Sequence, residues 1–137
     1  MLLYEELSYK IRGCAIEVRK KYGPGHKENI YQKALAEELD FNKIAYKAEE
    51  PIKIFSVRTG KKIGSYQPDF LIDDAVIVEI KALNYLPKKV IDQLYGYLRN
   101  SEYELGFLIN FGEPRLQIKR IIYTNENKPW FKKLHKG

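Results

Sequence analysis

The chain has 137 residues, one domain's worth and enough to bury a core without disulfide or metal staples. Hydrophobic residues make up 45% and charged residues 31%, a globular balance, and the single cysteine, Cys14, excludes an internal disulfide framework and a multi-cysteine zinc site. With 24 basic and 18 acidic residues the net charge is +6, which favours an anionic partner such as nucleic acid, although solubility alone explains such an excess in many small domains.

Leu3, Leu7, Ile11, Cys14, Ala15, Val18 and Tyr22 fall at helical spacing, so residues 3–22 read as one amphipathic helix with Cys14 in its apolar stripe. "GPG" at 23–25 ends it. A second helix is expected from His26 or Lys27 to about Asp40, with Ile30, Tyr31, Ala34, Leu35 and Leu39 inward, followed by a polar link. "PIKIFSV" alternates as a strand, "RTGK" turns, "KIGSYQPDFLI" is a second strand and "AVIVEIKAL" a third. Pro87 opens a third helix running to about Asn100. "ELGFLINFG" and "RLQIKRIIY" are two further strands, and a short terminal helix is admissible at 129–134.

The order is ααβββαββ in a single α/β (mixed α+β) domain over 1–137. The first three strands are expected to form a meander, and the third and fourth to run parallel across a helical crossover. No apolar run reaches transmembrane length, and "MLLYEELSYK" is acidic where a signal peptide wants a basic flank. A cytoplasmic protein with no membrane partner is the expectation; a homo-oligomer has no support in the sequence. The basic end, "WFKKLHKG", reads as a fraying tail.

The chemistry gathers in "YQPDFLIDDAVIVEIKAL", 66–83, where Asp69, Glu79 and Lys81 interrupt apolar strands. Buried charges are costly unless paired, hydrogen-bonded or metal-bound. Glu79 and Lys81 are two residues apart and share one face of their strand, while Val76, Val78 and Ile80 take the other. Asp69 joins them only if the intervening turn is odd in length or a bulge intervenes. A two-residue turn at Asp73-Asp74 would pair Asp69 with Val78 and turn its carboxylate away. Two carboxylates beside an ammonium suit phosphodiester hydrolysis, since Mg²⁺ takes one or two carboxylates, waters and a substrate phosphate, and activates water. The competing reading is a salt-bridged pair on a solvated face.

Pro68-Asp69 followed by Glu79-Ile80-Lys81 resembles the signature of the PD-(D/E)XK nuclease superfamily, and the element order is similar to that superfamily's core. "GHKENIY", Gly25 to Tyr31, resembles the motif of the GxxExxY protein family, with Gly25, Glu28 and Tyr31 in the named places. That likeness runs from the first helix through "LGFLINFG" and "IKRIIY". It implies a restriction-endonuclease-like core with a central mixed sheet of about five strands. The activity it implies is hydrolysis of nucleic acid, DNA first, with Mg²⁺ or Mn²⁺ as cofactor. Asp69, Glu79 and the Ile80 main-chain carbonyl would then hold the metal, and Lys81 would assist the attacking water. Glu28 matches the acidic residue of the first core helix, as a direct or more distant ligand. Gln93 and Tyr97, in "QLYGYL", match the QxxxY motif of the RecB-like exonuclease branch, near metal and DNA.

Each outer residue also has a plainer reading. Glu28 suits the first turn of any helix, and Gln93 with Tyr97 could simply edge the core. His26 could touch phosphate or metal, yet a lone loop histidine usually does neither. Lys88, Lys89 and Arg99, with Lys119 and Arg120, could contact phosphates or only solvent. Tyr66, Tyr85 and Tyr95 are candidates for base stacking among 11 tyrosines. A catalytically silent module that binds nucleic acid or protein is the alternative to the enzyme.

Overall fold

The computed structural model describes residues 3–134. The first helix, α1 (Glu5–Tyr22), buries Ile11, Cys14, Ala15 and Val18 along the expected stripe. It stops where Gly23 takes a left-handed φ of 66° and returns its N–H to the Arg19 carbonyl. Arg19 then ties this helix end across the fold, donating to the carbonyls of Phe111 at 3.0 Å and Glu113 at 2.8 Å. In α2 (Glu28–Phe41) the inward residues are Tyr31, Ala34, Leu35 and Leu39. Ile30, expected inward, lies off that stripe and is 39% exposed.

Five strands form the central sheet: β1 (Tyr46–Ala48), β4 (Phe70–Ile72), β5 (Val76–Lys81), β6 (Leu105–Asn110) and β7 (Gln117–Ile122), in the order β1-β4-β5-β6-β7. Only β5 and β6 are parallel, and α3 (Lys88–Arg99) makes the crossover between them, as a parallel pair requires. The mixed five-stranded sheet with flanking helices is the restriction-endonuclease-like architecture expected from the sequence.

Its strand membership differs from the expected meander. Strand β2 (Ile52–Phe55) pairs only with β3 (Lys62–Tyr66), in a separate two-stranded sheet. The long second strand breaks at 67–69 because Pro68 has no N–H to give a ladder. The vacated edge of β4 is taken by β1, from the stretch expected as a polar link, with Ala48 opposite Phe70.

Alternation along β5 divides the core. Val76, Val78 and Ile80 face the α1–α2 layer with Phe70 and Ile72, whereas Ile77 faces α3 with Leu71, Leu94, Leu98 and Leu108. The tail is partly anchored. Trp130 is fully buried, stacks on Phe55 at 4.7 Å between centroids and donates Nε1–H to the Arg99 carbonyl. Lys128, 1% exposed, gives its ammonium to the Ser101 and Tyr103 carbonyls at 2.7 Å each. The admissible terminal helix is present as α4 (Phe131–Leu134). The remainder of the expected fraying tail, 135–137, lies outside the described residues. Among the described residues no helix is long and apolar enough to cross a membrane.

Candidate active site

The turn between β4 and β5 decides the site. Ile72 pairs with Val76, so three residues, Asp73, Asp74 and Ala75, close the hairpin. Asp73 and Asp74 both take left-handed φ values, 53° and 51°, a region that a short aspartate tolerates better than most residues. The acidic pair is thus the turn itself, with Asp74 held by surface Lys47 at 3.1 Å. Odd length is what the face argument demanded. Phe70 lies opposite Val78, and one further step of that register sets Asp69 opposite Glu79.

Hydrogen bonds lock the pair. The Asp69 N–H donates to Glu79 Oε1 at 3.0 Å, and the Ile80 N–H donates to Asp69 Oδ2 at 2.7 Å. Within a strand the carbonyl of a residue points to the same edge as its N–H, so the Ile80 carbonyl also faces the Asp69 side. The Lys81 carbonyl faces the other way and accepts the Phe111 N–H at 2.8 Å.

Glu28 comes from the first turn of α2, and the local sequence explains its position. Gly25 bends the chain at φ 97°, a conformation other residues rarely adopt. Tyr31 is fully buried, stacks on Phe111 at 4.5 Å, and donates its hydroxyl to the Gly23 carbonyl at 2.6 Å. Gly25 and Tyr31 are therefore scaffold, and Glu28 between them is the carboxylate presented.

The electrostatics are those of a crowded, partly dehydrated acidic cluster. Burial raises the Glu28 carboxyl above its ordinary value, the Asp69 charge adds to that rise, and Lys81 opposes it. Burial likewise raises Asp69, against the Ile80 N–H, Lys81 and the nearby Gln32 side chain. Glu79 is pushed up to about 7, first by burial and then by Asp69, with the Tyr66 hydroxyl, the Asp69 N–H and Lys81 opposing. Lys81 forms no direct ion pair with any of the three and acts on them through its field.

On the α3 side, Gln93 and Tyr97 line a small cleft with Tyr66, Glu79 and Lys81. Gln93 Nε2 donates to the Tyr97 hydroxyl at 3.3 Å, and the Tyr97 ring lies on that of Tyr66, 3.6 Å between centroids and 9° between planes. The QxxxY pair thus reaches Glu79 through Tyr66.

Other candidates sit elsewhere. His26 places Nε2 2.9 Å from the Tyr22 carbonyl, packs edge-on against Tyr22 and Tyr31, and donates its main-chain N–H to the Tyr31 hydroxyl, so it joins the end of α1 to α2. Lys88 pairs with Asp92 at 2.7 Å, one turn along α3, and Lys89 is exposed. Cys14 is core, as expected.

Gln32 beside Asp69 and Tyr66 beside Glu79 are two neighbours of the site not expected from the sequence. Helical spacing could have exposed the first, because Gln32 is four residues after Glu28 and shares its face. Tyr66 gave no such signal, since its approach to Glu79 depends on how the chain departs from the sheet at Pro68.

Comparison with known proteins adds one match: a family model for the PD-(D/E)XK nuclease superfamily covers residues 5–121. No curated protein and no solved structure matches the chain. A match over most of the chain, on a mixed sheet that sets Asp69 opposite Glu79 with Lys81 two residues on, identifies this protein as a member of the PD-(D/E)XK nuclease superfamily.

Proposed function

We propose that this protein hydrolyses phosphodiester bonds in nucleic acid, preferring DNA, with Mg²⁺ or Mn²⁺ as cofactor, and that it belongs to the GxxExxY group within its superfamily. The observation that carries the reading is the locked pair Asp69–Glu79, with Glu28 and Lys81 in its field. Three carboxyl groups pushed upward by burial, facing one ammonium, form a site short of positive charge. Their donors are all oxygen, which suits a hard divalent cation. Among the described residues no three acidic, histidine or cysteine side chains are gathered tightly enough to hold an ion by themselves.

Asp69, Glu79 and the Ile80 carbonyl would hold the cation, with Glu28 as a further ligand, direct or through water. When bound, such an ion polarises the phosphoryl oxygen and lowers the pKa of a coordinated water. Lys81 would orient the attacking water and offset charge developing on the phosphate. Gln93 positions water or substrate across the cleft it shares with Glu79 and Lys81. Tyr97 fixes the ring of Tyr66, and Lys88 and Lys89 are phosphate contacts at the start of α3.

The test is cleavage of single- and double-stranded DNA with Mg²⁺ or Mn²⁺ by wild type, Asp69→Ala and Lys81→Ala. Loss of at least about a hundredfold in both variants is expected. Equal rates in all three proteins would mean that the cleavage comes from a contaminant. The second reading is a binding module that retains the fold without turnover. Binding without cleavage under either metal would establish it.

A further inference from the structure

The loop between β5 and α3, residues 82–87, reads "ALNYLP". Its backbone is held from beneath by Asn110, a fully buried polar residue at the end of β6. Asn110 Oδ1 accepts the Leu83 N–H at 2.9 Å, and its Nδ2 donates to the Leu83 carbonyl at 3.0 Å. The same amide also receives the Gly112 N–H and donates to Glu113 Oε2, so its own orientation is fixed. Gly112 lies flat against the loop: a Cβ there would sit 2.5 Å from both Leu83 N and Leu83 O.

What this pinned loop presents is unusual for a fixed surface. Leu83 and Asn84 are exposed, and Tyr85 is 67% exposed with no hydrogen bond or ring contact among the described residues. An aromatic ring on immobilised backbone loses less freedom on binding than one on a mobile loop. Its position matters as much. Tyr85 is four residues after Lys81, at most about 14 Å along an extended chain. Lys88 and Lys89 follow it after two intervening residues. The chain therefore offers, in order, the candidate catalytic ammonium, an open aromatic face, the Lys88 ammonium paired with Asp92, and the exposed ammonium of Lys89. Cations flanking an aromatic are what a single strand requires, because its phosphates seek charge while its unpaired bases seek a stacking surface. Bases in a duplex already stack on each other and have no face to offer.

We propose that loop 82–87 is a stacking platform for an unpaired base, with Tyr85 as the stacking residue, so that the protein engages single-stranded nucleic acid at the candidate active site. The proposal rests on the nuclease reading of that site.

The experiment measures binding by fluorescence anisotropy, using one labelled oligonucleotide either alone or annealed to its complement, with Ca²⁺ in place of Mg²⁺. Tyr85→Ala is expected to weaken single-strand binding about 5- to 100-fold and to change duplex binding by less than about twofold. Tyr85→Trp should restore it. The ring lies in solvent, so a thermal melt should show an unchanged fold. Single-strand binding by Tyr85→Ala equal to wild type, or an equal loss on both forms, overturns the platform. Cleavage of the same oligonucleotides by wild type and Lys81→Ala judges the nuclease reading separately. Lys81-dependent cleavage alongside an ineffective Tyr85→Ala rejects the platform alone. Neither binding nor cleavage of either form rejects both.

Discussion

Asp69 and Glu79 face each other across the β4–β5 hairpin, and the Asp69 main-chain N–H donates to Glu79 Oε1 at 3.0 Å. The Asp69 carboxylate in turn accepts the N–H of Ile80, the residue after Glu79. Two carboxylates that repel one another are thus held together by backbone donors, an arrangement that costs stability unless a cation joins it.

That cost predicts a pH dependence in metal-free protein. The folded-state value of Glu79, about 7, lies above its ordinary 4.5, so the folded protein binds the proton more tightly than the unfolded chain does. The Glu79 contribution to stability is therefore greatest below pH 4.5, declines between 4.5 and 7, and stays at its lowest above 7. Glu79→Gln keeps the shape and removes the charge. Thermal melts in EDTA should show the variant more stable than wild type at pH 8, with the difference vanishing toward pH 4.5. Added Mg²⁺ should stabilise wild type at pH 8 and leave the variant little changed.

The Gln32 side chain, one turn beyond Glu28 on α2, lies beside Asp69 and opposes the rise of its carboxyl. Groups that orient a ligand commonly govern metal affinity by 10- to 100-fold. Gln32→Ala should raise the Mg²⁺ concentration needed for half-maximal cleavage by about tenfold, with a smaller effect on the rate at saturating metal. A Mg²⁺ titration of cleavage rate decides it, and an unchanged midpoint would remove Gln32 from the site.

Asn110 and Gly112 together brace the loop after Lys81. Asn110→Ala would strip partners from the Leu83 N–H and carbonyl, at a cost of about 1–3 kcal/mol. Gly112→Ala would drive a methyl into main-chain atoms, which cannot swing aside as a side chain can. A loss of about 1–3 kcal/mol is expected there too. Urea denaturation of each variant measures both.

Lys128 tests the anchoring of the C-terminal segment. Burial pushes its ammonium down to about 8 from 10.5, partly opposed by the charges of Glu104 and Glu102. The charged form is thus disfavoured in the folded state, and that penalty is complete below pH 8 and relieved as pH rises to 10.5. Lys128→Met leaves the Ser101 and Tyr103 carbonyls without their donor and should destabilise the protein by about 1–3 kcal/mol at pH 7. The gap between wild type and variant should widen from pH 8 to 10.5. Urea midpoints across that range check the sign.

Particular residues show what could be read in advance. The apolar period of α1 and of 31–39 in α2 located both helices, because one buried stripe forces that spacing. The two-residue period of β5 puts Glu79 beside Lys81 on one face, and bringing the Asp69 carboxylate there requires an odd turn or a bulge. The turn has three residues. Ile30, expected inward, borders the stripe, and the edge of a stripe is decided by what packs there. Strand β1 was missed because three residues, Tyr46 to Ala48, are too few to show a period.

Local chemistry in the sequence by itself therefore determined the helices, the strands long enough to alternate, the parallel crossover and the candidate carboxylates with their lysine. Their causes act over a few residues: a buried stripe, a pleat, a glycine that can turn. Only the tertiary structure decided that Pro68 releases the chain from the sheet, that β1 fills the vacated edge, and that Tyr66 and Gln32 come to rest on Glu79 and Asp69. It also decided that Asn110 braces the Tyr85 loop. Those relationships join residues 10 to 40 positions apart or depend on which edge is left unpaired, and no local periodicity records them.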